Sequence, residues 1–186
     1  MVKDKLKINC LEIEEAVARM YGFRQNIIVP NISWGANLHE CDLIIINKSG
    51  FATEVEIKIS KADLKKDFTK GHNHINEKIK HLYYAIPVSL VEFAETIIPV
   101  HAGIISCDKL ISRPDREYEI INNEIVETLT PGSPVVFARF HRHAQAAKQY
   151  RKMTDEEINN ISRLGCMRIW GLKSKLIKER NKSKLK

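Results

Sequence analysis

Long apolar runs are missing from this 186-residue chain. None approaches the ~20 residues of a membrane-spanning helix, so no membrane partner is expected. The opening MVKDKLKINC lacks the apolar centre of a secretory leader. Cysteines are few and scattered, with Cys10, Cys41, Cys107 and Cys166 at least 31 positions apart. The absence of a C-x-x-C pair argues against a zinc ribbon and fits a reducing, cytoplasmic setting. Internal repeats are also lacking. What is present is ordinary for a globular chain, at 44% hydrophobic and 28% charged residues. The length suits one domain with a real core, or a domain plus an appendage.

Acidic residues are scarce at one end only. The net charge is +7, and Arg168 to Lys186 holds eight Lys or Arg against the single acid Glu179. That segment therefore carries the whole excess. Such an end-loaded tail suits a polyanion, with nucleic acid the natural partner. The last eight residues read equally well as a solubilising tail.

The chemistry concentrates in Asp42 to Lys58, DLIIINKSGFATEVEIK. Leu43 to Ile46 is an unbroken aliphatic strand. Asn47-Lys48-Ser49-Gly50 supplies a turn, with Gly50 free to take a positive φ. From Phe51 to Ile59 the residues alternate. Val55, Ile57 and Ile59 share one face; Glu54, Glu56 and Lys58 share the other. A hairpin would bring Asp42 beside Glu56, so that two carboxylates and a lysine converge against a hydrophobic sheet. Buried carboxylates need compensation, and a divalent cation such as Mg²⁺ supplies it. A neighbouring lysine can stabilise phosphate charge or orient an attacking water. These are the parts of metal-assisted phosphodiester hydrolysis. Glu-x-Glu-x-Lys also describes the wet face of any amphipathic strand. The run Leu43–Ile46, however, is too apolar for an edge, which makes an acid at its head unusual. Glu40 shares the face of Asp42 and is a candidate for holding a metal through water.

Asp42, followed by Val55-Glu56-Ile57-Lys58, resembles the D-(x)n-E-x-K signature of the PD-(D/E)XK nuclease superfamily. The continuation EVEIKISKADLKKDF, and LYYAIP beyond it, resembles the MmcB-like branch, associated with DNA repair. The likeness runs from about Leu11 to Ser106 and departs from the motif at Cys41, where the superfamily name implies proline. It implies a restriction-endonuclease-like α/β fold: a helix, three antiparallel strands, a helix, then a further strand. It also implies an Mg²⁺-dependent DNA endonuclease, with Mn²⁺ as a substitute. Asp42, Glu56 and the Ile57 carbonyl would hold the metal, and Lys58 would act on the water or the phosphorane-like charge. Relatives often act as homodimers. The alternative is a non-cleaving nucleic-acid-binding or repair-accessory protein of the same fold.

Along the rest of the chain, Leu11 to Tyr21 reads as a helix stopped by Gly22. Its acids Glu12 and Glu14 flank the apolar stripe, where relatives sometimes add an acid to the site; Glu15 faces away. Asn26 to Val29 reads as a strand ended by Pro30. Trp34 sits in the following loop, as a core anchor or a base-stacking residue. Ser60 reads as the N-cap of a helix over Lys61 to Thr69. Ser60, Lys61, Lys65 and Lys66 are candidate DNA-backbone contacts, helped by the helix N-terminus. His72 and His74 are candidates for phosphate or water contacts. At a helix start they diverge by about 200°, which disfavours chelation. The spacing predicts another helix over 73–81, a strand over Leu82 to Ile86, a helix over Val88 to Thr96 and a strand over Ala102 to Ser106. Tyr118–Ile121 and Ile125–Leu129 read as a hairpin. The turn Thr130–Pro134 divides a nuclease-like domain, 1–129, from a helical extension, 130–186. That extension is expected to contain a helix over 135–152 and a short one from Thr154 to Gly165.

Overall fold

The computed structural model describes residues 7–32, 38–69, 76–121 and 124–183. The first helix, α1 (Cys10–Tyr21), starts at a capping box in which Asn9 and Glu12 bond each other's main-chain amides. It stops at Gly22, φ 80°. Strands β1 (Ile27–Ile32), β2 (Cys41–Ile46) and β3 (Ala52–Ile57) follow as an antiparallel meander. Helix α2 (Lys61–Thr69) then leads to β4 (Ile79–Pro87), parallel to β3. A short 3-10 turn and α3 (Val91–Ile97) lead to β5 (Gly103–Ile111), parallel to β4. β6 (Asp115–Ile121) and β7 (Glu124–Thr130) form a separate two-stranded ribbon. β8 (Pro134–Arg142) returns antiparallel to β5, giving a six-stranded mixed sheet in the order β1-β2-β3-β4-β5-β8. The long α4 (Asp155–Ser183) ends the described chain. The expected order of helix, antiparallel trio, helix and further strand is present.

Alternation along β2 divides the core between two faces. Leu43 and Ile45 join Val55, Ile57 and α1 residues Ile13, Ala16 and Val17 on one side. Ile44 and Ile46 join Ala52, Met153, Ile161 and Leu164 on the other, under the start of α4. Farther along that second face, Leu64 of α2, Tyr84, Ile86 and Ala94 of α3 make another apolar cluster. Each fully buried aliphatic contributes about 2–3 kcal/mol through the area it removes from water. The Glu54–Glu56–Lys58 face of β3 lies between those two clusters. The charged site is thus a polar seam between two apolar patches on one face of the sheet.

Several expectations need correction. β1 continues through Pro30, which an edge strand tolerates because one side of its backbone has no partner strand. β3 ends at Ile57, leaving Ile59 exposed. Residues 76–78 form a turn, and Ile79–His81 are already strand, so no helix reaches His81. The edge of β3 captures Ile79 and His81 together with the strand-forming Tyr83 and Tyr84 that follow, and this pairing outweighs a spacing that also fits a helix. Residues 134–142 are strand, because Val136, Ala138 and Phe140 repeat every two residues and pair with β5. The segment after residue 129 therefore begins as the sixth strand of the sheet. Its helical part is Asp155–Ser183, opened by the expected Thr154–Glu157 capping box. α4 also passes through Gly165. A Cβ there would sit 3.1 Å from a Val29 methyl, so this glycine serves close approach to β1 rather than a helix stop. Beyond Gly165 the helix is exposed.

Candidate functional site

The hairpin turn sets the geometry. The Asn47 side chain accepts from the amides of Ser49 (2.9 Å) and Phe51 (3.1 Å), and Gly50 takes φ 80°. This register pairs Leu43 with Val55 and places Asp42 next to Glu56. Asp42 Oδ2 accepts from the Ile57 amide at 2.7 Å, which extends the ladder with a side chain. The Lys58 amide donates to the Ala85 carbonyl at 3.1 Å, tying the end of β3 to β4. The Lys58 ammonium then lies 2.7 Å from Glu56 Oε2, 3.0 Å from Asp67 Oδ1 and 3.9 Å from Asp42 Oδ2. The two predicted acids and the predicted lysine do meet at one spot.

Charge in this seam is poorly solvated. Lys58 and Glu56 side chains are 10% and 7% exposed, whereas Asp42 is 40% exposed and opens the site to solvent. Burial pushes the Glu56 carboxyl up, opposed by the Lys58 charge and assisted by Asp42 and Glu54, to about 7. Burial also opposes the Lys58 ammonium, but the charges and hydrogen bonds of Glu56 and Asp67 outweigh it, so its pKa is raised. One Glu56 oxygen, Oε1, is buried without a hydrogen-bond partner among the described residues. An orphaned carboxylate oxygen with a raised pKa is a place where a further cation would be favoured. No group of three or more His, Cys, Asp or Glu among the described residues is spaced to hold a metal alone. A hard cation here would take Asp42 and Glu56 Oε1, with water completing its shell.

Two neighbours escape a reading of the sequence alone. Asp67 comes from α2, where Leu64, Asp67 and Phe68 lie at helical spacing on the side facing the sheet. Its Oδ2 accepts from the Tyr84 hydroxyl at 3.1 Å. An acid on an otherwise apolar stripe is the available signal. Tyr84 stands beside Glu56 only through the parallel β3–β4 register, which local sequence does not specify. Farther along the same face, Glu54 is 0% exposed and both its oxygens are 2.8 Å from His39 Nε2. Alternation puts Glu54 on the correct face, but nothing local signals this histidine.

The other candidates scatter. Glu40 is exposed just ahead of β2 and makes no hydrogen bond or ion pair with Asp42, Glu56 or Lys58. Glu12 is taken up by its capping box and by Lys109, 2.5 Å away. Glu14 is different: burial and then the Asp42 charge raise its pKa, which places it on the Asp42 side of α1. Ser60 caps α2 as expected, accepting from the Asp63 amide at 3.1 Å. Lys61 and Lys65 lie over the Phe93 ring, at 5.2 and 5.5 Å. That flank is roughly 120–160° around α2 from Asp67. Lys66 is exposed on the same helix. His72, His74 and Trp34 lie outside the described residues.

The chain matches no protein family and no curated protein. It does share its fold with a solved structure, a protein of unknown function from Silicibacter pomeroyi. The TM-score is 0.56 and the sequences are 16% identical, covering 87% of this chain and 88% of that one. No helix among the described residues is long and apolar enough to cross a membrane.

Proposed function

We propose that this protein is a metal-dependent DNA endonuclease with a restriction-endonuclease-like fold, of the PD-(D/E)XK kind. The observation that carries the reading is the meeting of Asp42, Glu56 and Lys58 at the mouth of a polar seam, with Glu56 Oε1 left unpaired among the described residues. Asp42 and Glu56 would hold Mg²⁺ or Mn²⁺. Two carboxylates plus water suit Mg²⁺, which keeps much of its hydration. When bound, the ion supplies Lewis-acid polarisation of the scissile phosphate and a more acidic water. The chain's own residues do the rest. Asp42, the most exposed of the three, faces an incoming phosphodiester. Lys58 carries a firmly held positive charge, suited to stabilising the extra negative charge of the pentacovalent transition state. The N-terminus of α2, three residues after Lys58, would add amide dipoles to phosphate binding in the same region. Arg168 to Lys186 would supply salt-sensitive backbone affinity.

The alternative is a non-cleaving nucleic-acid-binding protein of this fold, in which the basic segment Arg168 to Lys186 binds the polyanion and the acids hold no ion. A magnesium titration with supercoiled plasmid separates the two. The nuclease reading expects nicking that requires the ion and is lost in Asp42→Ala; binding without cleavage at any Mg²⁺ or Mn²⁺ concentration supports the second.

A further inference from the structure

We propose that Asp67, braced by Tyr84, is a positioning residue that fixes the Lys58 amine beside the Asp42–Glu56 pair. The idea that this amine serves hydrolysis rests on the nuclease reading above; the fixing itself rests on geometry.

A lysine has four rotatable bonds, and ordering its side chain costs up to about 2 kcal/mol of rotamer entropy. Glu56 alone is a poor anchor for it. That carboxylate is also the one whose second oxygen is available to a cation, so amine and cation draw on the same group. Asp67 removes the conflict. It comes from α2 rather than from the strand, it lies 3.0 Å from Lys58 Nζ, and its side chain is only 13% exposed. Its other oxygen is occupied by the Tyr84 hydroxyl, 3.1 Å away. Tyr84 is 1% exposed and its ring lies 5.5 Å from that of Phe68, so the brace is embedded in the core. An aspartate on an apolar helical stripe is costly without a charged partner. Lys58 supplies such a charge, and in return α2 fixes where the amine can go. The chain Tyr84–Asp67–Lys58 is therefore built to hold a charge in place while Glu56 remains free to serve a second cation.

Steady-state kinetics on plasmid with the full-length protein tests this. Asp67→Asn is expected to lower kcat about 10–100-fold, the range for misplacing a catalytic group, with KM for DNA and the half-saturating Mg²⁺ concentration unchanged. Asp67→Glu should retain more activity than Asp67→Asn. Tyr84→Phe should lower kcat by a smaller factor, and adding it to Asp67→Asn should cost nothing further. In a Lys58→Ala background Asp67→Asn should have no effect. Wild-type kcat in Asp67→Asn, or an Asp67→Asn loss that persists without Lys58, overturns the proposal. A second readout needs no activity: the Lys58 ammonium resonance in ¹⁵N-labelled protein, assigned through Lys58→Ala. It should be visible through slow hydrogen exchange, and its exchange should accelerate at least tenfold in Asp67→Asn with the amide spectrum otherwise folded. An exchange rate indifferent to Asp67 overturns the proposal whether or not DNA is cut. An Asp67-dependent rate in a protein that cuts nothing supports the fixing and removes the nuclease reading instead.

Discussion

Replacing Glu56 by glutamine should make the protein more stable at neutral pH and above, although the residue sits at the centre of the site. Burial raises the Glu56 carboxyl from 4.5 to about 7, and that shift is already net of the Lys58 attraction. The folded state therefore holds a proton that the unfolded state releases. Such a group contributes stability below pH 4.5, and that stability is lost as pH rises through about 7. At 1.36 kcal/mol per unit, ionisation costs the fold no more than about 1 kcal/mol at pH 5 and about 3 kcal/mol at pH 8. Glutamine copies the neutral acid, and its amide oxygen still accepts from Lys58. For a chain of this size, 3 kcal/mol is roughly 6–12 °C in melting temperature. The assay is thermal unfolding of wild type and Glu56→Gln in EDTA at pH 5 and pH 8. The variant should melt higher at pH 8, and the gap should nearly close at pH 5. Millimolar Mg²⁺ should then raise wild type and leave the variant unmoved, since ion binding stabilises only a fold that can bind it. A variant no more stable than wild type at pH 8, or a gap independent of pH, would refute the electrostatics assigned to Glu56.

Other outcomes follow from the packing and the charge distribution. Gly103→Ala should destabilise by about 1–3 kcal/mol, measured by urea unfolding, because a Cβ there would overlap the Tyr83 ring and come within 2.8 Å of the Ala144 nitrogen. Truncation after Arg168 removes an exposed part of α4 and most of the excess charge. Melting should change little, while the salt dependence of DNA binding should flatten by roughly 0.9 in log–log slope for each phosphate no longer neutralised.

The hairpin is legible in the sequence because its information is local. The turn residues, the period-2 alternation and the apolar run at Leu43–Ile46 together fix a register, and that register brings Asp42 to Glu56. α2 is equally legible, since Ser60 caps it and the described helix covers Lys61–Thr69. Local patterns mislead where a distant strand edge decides the outcome. Ile79–His81 and Pro134–Arg142 carry spacings that fit a helix, but β3 and β5 offer unpaired edges, and pairing prevails. Gly165 reads as a stop because the neighbour that requires its missing side chain, Val29, is far away in sequence. The same limit explains the site. Asp42, Glu56 and Lys58 belong to one hairpin and can be found together. Asp67, Tyr84 and His39 reach the seam through helix packing, parallel register and a loop, none of which a local pattern encodes.

The most direct test is cleavage and binding by Lys58→Ala, measured side by side on one DNA substrate with Mg²⁺. Wild type should cut, and the variant should lose at least a hundredfold in rate while its DNA affinity stays within about threefold, because Lys58 is only 10% exposed and acts on the transition state rather than on the duplex. Metal-dependent cutting at the wild-type rate by pure Lys58→Ala would contradict that role.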